Sequence, residues 1–178
     1  MPPAPAFAQK LNEQIANEFA AHQQYVACAV YYDGEALPQL ARFFYRQALE
    51  ERGHAMMMVQ FLLDTGAEAT TPGVEAPRTS FADVSEPIAL ALEQEQRVSE
   101  QINALAATAR EAGDYSSEQF MQWFIKEQVE EIATMGELLR VSERSRDTPA
   151  VIEDYIAREH PGDEGGDPTA PTAAGATA

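Results

Sequence analysis

The sequence predicts an all-α protein: a four-helix bundle with one long crossover loop and a short fifth helix at its C-terminal end. Ala, Glu, Gln, Leu and Met are plentiful and β-branched residues are few, a balance that favours helices. Four long segments place apolar residues at alternating steps of three and four, the periodicity of helices in a bundle. With 178 residues, the chain is long enough to bury a core as one domain.

The first two segments are predicted to form an antiparallel pair. The first runs from about Phe7 to Tyr32 and ends at Asp33-Gly34, because glycine after an apolar run is typical of a helix C-terminus. The second has Pro38 in its first turn, where proline is tolerated, and closes at Thr65-Gly66.

Residues 67–84 contain scattered Thr, Pro, Gly and Ser and are predicted to form a loop. A helix of ~26 residues is ~39 Å long at 1.5 Å per residue. An extended connection of this length reaches ~60 Å, enough to return along the whole bundle. We therefore expect the second and third helices to run parallel, joined by a crossover.

The third segment begins at Ser85 or Glu86 and ends at Gly113-Asp114. The fourth begins at Ser116, where Gln119 three residues later completes a predicted capping box.

A short amphipathic helix is predicted over residues 150–159. We expect residues 1–160 to form the folded domain. Gly, Pro, Ala and Thr dominate residues 161–178, and this composition predicts a disordered tail.

Charged and polar residues interrupt the apolar stripes of all four long segments. The interrupting residues are Glu18, Glu51, His54, Glu95, Glu127 and Glu131. A carboxylate in a dry core costs several kcal/mol unless a partner compensates it. Five carboxylates in one small core require a strong counter-charge, and a bound pair of metal ions supplies it.

The spacing of these residues predicts that they meet in one layer. Two positions of an antiparallel pair lie level when their midpoint falls at the turn. The midpoint of Glu18 and Glu51 falls at the first turn, and that of Glu95 and Glu131 falls at the second. Each pair lies roughly 26 Å along the axis from its turn, near the middle of the bundle.

Residues three apart share a helix face, so Glu51 with His54, and Glu127 with Glu130, can each offer two ligands. Carboxylates with a single imidazole suit iron or manganese, whereas structural zinc sites favour Cys and His.

These residues make the chain resemble the non-haem bacterial ferritins, of the actinobacterial kind, over roughly residues 7–160. The likeness rests on Glu18 with Tyr25, Glu50-Glu51-Arg52-Gly53-His54, Glu95-Gln96, and Glu127-Gln128-Val129-Glu130-Glu131. The resemblance implies a ferritin-like fold and a cage of 24 subunits. It also implies oxidation of Fe(II) with O2 and storage of a ferric mineral in the cage.

The resemblance further implies a site of two irons per subunit that share Glu51 as a bridge. Its residues are Glu18, Glu51 and His54 at one iron, and Glu51, Glu95 and Glu131 at the other, with Gln128 adjacent.

Five further residues match functional positions of the family. Glu50, Glu127 and Glu130 match a third iron site of some bacterial ferritins. Tyr25 matches a tyrosine that hydrogen-bonds the site and donates an electron, and Glu118 matches an acidic position of the threefold pores.

Haem is not expected. The related bacterioferritins repeat the Glu-x-x-His pattern in both halves and carry a haem-binding methionine after the bridging glutamate. Here those positions hold Glu130 and Arg52.

The net charge and the cysteine content indicate which binding partners and which cellular compartment to expect. A formal net charge of −17 repels nucleic acid and attracts cations. The single Cys28, together with an N-terminus lacking a secretory signal, predicts a cytoplasmic protein. No apolar run approaches the ~18 residues of a membrane span, so no membrane partner is expected.

Two other functions fit part of the pattern. One is a di-iron or di-manganese redox protein that does not store metal, such as a peroxidase-like bundle. The other is a DNA-protecting mini-ferritin, whose site lies between subunits. The predicted helix at 150–159 and the complete ligand set within one bundle favour the storage ferritin.

Overall fold

The computed structural model describes residues 2–162 and 167–175. Its five helices are α1 (Pro5–Gly34), α2 (Pro38–Thr65), α3 (Glu86–Glu111), α4 (Tyr115–Arg144) and α5 (Pro149–Glu159). The prediction of an all-α bundle of four long helices and a short fifth is confirmed, with the ends of the helices shifted by a few residues. Within the described ranges, none of the helices combines the length and apolar character of a membrane crossing.

The crossover runs along α1 from its beginning to its end. Three side chains of α1 donate hydrogen bonds to loop carbonyls in chain order: Asn12 to Glu68 (2.9 Å), Gln24 to Arg78 (2.9 Å) and Tyr32 to Val84 (2.7 Å). The loop therefore delivers α3 to the end of the bundle where α2 also starts. This arrangement makes α2 and α3 parallel, as the length of the loop predicts.

The start of α4 differs from the prediction. Asp114 is its N-cap, because the Asp114 carboxylate accepts hydrogen bonds from the Ser117 backbone N–H (3.2 Å) and hydroxyl (2.6 Å). The same carboxylate accepts a bond from the Ala4 N–H at 2.9 Å. Ser116 is exposed inside the first turn, so the predicted Ser116–Gln119 capping box is wrong.

Replacing Asp114 with alanine is expected to lower the free energy of unfolding by about 1–2 kcal/mol, because an N-cap and a link to α1 are lost together. Ser116→Ala serves as the matched control and is expected to change it by less than about 0.5 kcal/mol. Urea unfolding of both variants measures the difference. A larger loss of unfolding free energy in Ser116→Ala than in Asp114→Ala would instead support the Ser116–Gln119 capping box.

The buried line of α4 also differs from the prediction. Phe124 and Glu131 are buried as expected, but Gln128 is buried and Glu127 only half-buried. An apolar stripe is wider than one residue, and contacts with the neighbouring helices decide which edge is covered.

Two apolar clusters fill the core, one toward each end of the bundle. The first contains Tyr32, Phe44, Ile88, Leu138 and, from α5, Ile152 and Ile156. The second contains Phe7, Leu11, Ile102, Met121 and Phe124. The buried carboxylates lie between these clusters, where both apolar halves shield them from water.

The C-terminal region contacts the bundle more than the prediction of a disordered tail implies. The Glu153 carboxylate accepts hydrogen bonds from the backbone N–H groups of Gln39 and Leu40 and thereby ties α5 to the first turn of α2. Residues 167–175 contact α2 and α4, since the Ala174 N–H donates to the Met56 carbonyl at 3.0 Å and the Trp123 indole donates to Asp167 at 3.1 Å. Residues 163–166 and 176–178 of the predicted tail lie outside the described residues. The division at residue 160 stays a prediction.

Candidate metal centre

Glu18 of α1 and Glu51 and His54 of α2 meet at the middle of the first helix pair. One ligand atom from each lies within 4.8 Å of the others. All three residues are buried, with exposed fractions of 1%, 0% and 5%. This grouping matches the predicted register, because the first turn brings Glu18 and Glu51 level.

Hydrogen bonds fix Glu95 of α3 on both sides of its carboxylate. The Tyr25 hydroxyl donates to Oε1, and the Gln128 amide donates to Oε2 at 3.3 Å. Tyr25 lies on α1 and Gln128 on α4, so this carboxylate connects the two helix pairs. Burial raises the pKa of Glu95, while the bonds from Tyr25 and Gln128 lower it in part. Burial, then the charge of Glu95, raises the pKa of Tyr25.

Glu131 of α4 completes the layer and is 7% exposed. Burial, and then repulsion from Glu95 and Glu50, raises its pKa to about 8. At neutral pH this carboxyl group therefore holds a proton unless a cation replaces it.

Glu51 of α2 lies fully buried among other carboxylates. Neither of its carboxylate oxygens has a hydrogen-bond partner among the described residues. Burial, then repulsion from Glu95, raises its pKa, and burial with repulsion from Glu51 raises that of Glu18. A fully buried carboxylate among other carboxylates favours a bound cation.

Aromatic rings position the imidazole. The rings of Trp123 and Phe124 meet the His54 ring edge-on at centroid distances of 5.6 and 5.8 Å. His54 Nδ1 lies 3.8 Å from a Glu18 oxygen and 3.7 Å from a Glu51 oxygen. The imidazole and both carboxylates therefore surround one small volume, a donor set of nitrogen and oxygen that suits iron or manganese.

The three residues predicted for a further iron site line one cleft. Glu50 and Glu130 are exposed, Glu127 is half-buried, and with Glu131 they border a cleft of about 220 Å³ between α2 and α4. Burial raises the pKa of Glu127. Glu130 also lies 3.7 Å from the Lys126 ammonium group. The cleft adjoins the buried layer because Glu131 belongs to both.

Glu118, which the resemblance places at a threefold pore, lies in the first turn of α4. Glu118 forms an ion pair with Arg110 at 2.7 Å within the same chain. Met121, which follows it by one turn, is fully buried in the core and does not reach the surface.

Gln14, which no sequence pattern singled out, is 2% exposed and donates a 2.8 Å hydrogen bond to Glu18. The available signal was its place one helical turn before Glu18, on the same face. His22, on the same helix, bonds the Ala48 carbonyl at 2.6 Å instead of joining the layer. Cys28 is a buried free thiol, and burial raises its pKa to about 12.

Fold and site together define a four-helix-bundle protein with a candidate metal centre of carboxylates and histidine between its helices.

Comparison with known proteins agrees with this class. A family model, the ferritin-like domain, matches residues 8–145. The chain is 53% identical over 169 residues to Ferritin BfrB of Mycolicibacterium smegmatis, covering 95% of this chain and 93% of that protein. It is 38% identical over 125 residues to the bacterial non-heme ferritin of Staphylococcus aureus, covering 70% of this chain and 75% of that protein.

A solved structure shows the same likeness. An open pore ferritin from Archaeoglobus fulgidus superposes with a TM-score of 0.83 at 25% identity, covering 86% of this chain and 95% of that one. The chain belongs to the ferritin family.

Proposed function

We propose that this chain is the subunit of an iron-storage ferritin and oxidises Fe(II) to Fe(III) with O2 inside its bundle. The main support is Glu51, whose two buried oxygens have no hydrogen-bond partner among the described residues and face other carboxylates. Such a site favours cations, which displace the protons that its buried carboxyl groups otherwise hold, and its oxygen-rich donor set suits iron. The ferritin names of the similar proteins support the same substrate.

In this proposal the two Fe(II) substrates share Glu51. The first is held by Glu18, Glu51 and His54, and the second by Glu51, Glu95 and Glu131, with Gln128 and Tyr25 orienting Glu95. Each Fe(II) gives one electron, and neighbouring substrate ions let O2 receive two. Carboxyl groups whose pKa is raised release protons as the cations bind.

The cleft between α2 and α4 is proposed to take iron as a third position. Glu50, Glu127 and Glu130 border this cleft, which is open to solvent and adjoins Glu131. Iron at these residues would lie on a path between the buried layer and the space outside the bundle. The side chains are weakly enclosed, which suits transient binding.

Storage requires assembly, and we place the subunit in a cage of 24 copies in the cytoplasm. The net charge of −17 on each chain draws Fe(II) toward the assembly, less strongly at high salt. Acidic side chains around the stored mineral would lower the cost of its nucleation.

Sedimentation with iron loading tests the proposal. The purified protein is expected to sediment as one large assembly. Fe(II) added in air at ~100-fold excess over subunits is expected to sediment with it as ferric iron, because a two-iron site alone cannot hold that amount. Absorbance and iron analysis of the fractions measure both.

The alternatives give different results. A monomer or dimer that oxidises Fe(II) but retains only site-bound metal would favour the non-storage redox protein. An assembly that retards duplex DNA in a gel would favour the mini-ferritin.

A further inference from the structure

We propose that Gln14 and Asn17 are positioning residues that orient the Glu18 carboxylate toward the metal centre. The inference rests on the proposed function, because Glu18 is taken there as an iron ligand. It concerns a chain of side-chain amides that leads from the surface of α1 to the buried layer.

The hydrogen bond from Gln14 gives the two oxygens of the Glu18 carboxylate different surroundings. The Gln14 amide donates to Oε1 at 2.8 Å, and both side chains are at most 2% exposed. Oε2 has no hydrogen-bond partner among the described residues and lies 3.8 Å from His54 Nδ1. One oxygen is therefore held by the protein, and the other is left facing the centre.

The second link decides which end of the Gln14 amide meets Glu18. The Asn17 amide donates to the Gln14 carbonyl oxygen at 3.0 Å. The two ends of an amide have nearly the same shape, but one donates and the other only accepts. With its oxygen held by Asn17, Gln14 presents its N–H to Glu18. The reversed amide would oppose acceptor to acceptor and turn the carboxylate away.

Asn17 lies at the edge of the bundle, where a substitution can test the amide chain. Asn17 is half-buried and borders a cleft of about 260 Å³ between α1, residues 75–77 of the crossover, and α3. A substitution there changes a hydrogen bond without removing volume from the core. Glu95 is oriented by Tyr25 of α1 and Gln128 of α4 and not by the Asn17 chain, so that chain acts on the half of the centre that Glu18 holds.

Asn17→Asp reverses the chain with little change of shape. The new carboxylate accepts where Asn17 donated, so Gln14 turns its N–H toward residue 17 and its oxygen toward Glu18. Co(II) is a suitable redox-stable probe, titrated without oxygen by calorimetry and visible absorption. Glu18→Gln is expected to weaken one Co(II) site. In Asn17→Asp, that same site is expected to bind Co(II) about 10–100-fold more weakly than in the wild-type protein. The site that Glu131→Gln weakens is expected to keep its affinity.

Two comparisons separate positioning from other effects. The added negative charge by itself would strengthen cation binding. Weaker binding in Asn17→Asp would therefore result from the reversed amide chain and not from the charge. Asn17→Ala removes the donor without adding an acceptor and is expected to have a smaller effect. Asn103→Asp, an exposed position on α3, adds the same charge elsewhere and is the control.

Three results would overturn the inference or its basis. Wild-type affinity at both sites in Asn17→Asp would show that the amide chain does not orient Glu18. Equal weakening of both sites with a lower unfolding temperature would indicate a structural role only. If the wild-type protein and Glu51→Ala bind Co(II) alike, the proposed function itself fails.

Discussion

Replacing Glu51 with alanine is expected to slow aerobic Fe(II) oxidation by about 100-fold or more, because both substrate ions lose a ligand at once. The assembly is expected to survive, since the side chain contacts other carboxylates inside the bundle and not the surface. Initial rates of ferric product formation measure the first effect, and sedimentation measures the second. Glu51→Gln, which keeps the shape, is expected to show a similar loss.

Glu93→Gln is the matched control. Glu93 lies on α3 near Glu95, but its side chain is 66% exposed and pairs with Arg97 at the surface. Its oxidation rate is expected to equal that of the wild-type protein. An unchanged initial rate in Glu51→Ala would remove the bridging assignment.

The metal-free protein is expected to lose stability as pH rises from about 5 to about 8. Glu131 has an ordinary pKa of 4.5, which burial raises to about 8 in the folded state. Between these values the folded protein binds more protons than the unfolded chain, so higher pH favours unfolding. Each such group contributes a slope of about 1.4 kcal/mol per pH unit. The pKa values of Glu18, Glu51 and Glu95 are also raised, so these groups add to the loss of stability with rising pH.

Urea unfolding of chelator-treated protein across this pH range measures the slope. Glu131→Gln is expected to flatten the slope and raise stability at pH 8, whereas Glu93→Gln leaves it unchanged. Divalent metal is expected to restore stability, by about 4 kcal/mol at a concentration 1,000 times the dissociation constant. A metal-free protein that becomes more stable between pH 5 and 8 would contradict the raised pKa values of these buried carboxyl groups.

Much of the fold followed from local patterns. The apolar period predicted four helices, and glycine located the end of α2, where Gly66 adopts φ 76° beyond the last turn. Loop length predicted the crossover, because only a long connection can return along the bundle. The cap of α4 did not follow, since Asp114 and Ser116 both suit a cap and the contact with Ala4 favours Asp114.

The sequence indicated the candidate ligands of the centre, but it did not indicate every side chain that hydrogen-bonds them. Glu51 and His54 share a face by spacing alone, and the two turns brought the level pairs together. Gln14 is different, because glutamine on a helix face is equally compatible with solvent, and its bond to Glu18 depends on which face is buried.

By itself the sequence determined the helices, their connections and the layer in which carboxylates and histidine meet. These properties depend on helical period and chain length, which are local and regular. Only the tertiary structure decided which carboxylate oxygens are hydrogen-bonded and which are free. It also decided that Gln128 and not Glu127 is buried, and that residues 167–175 lie against α2 and α4. Such contacts join residues distant in the chain, and their geometry depends on how neighbouring helices pack.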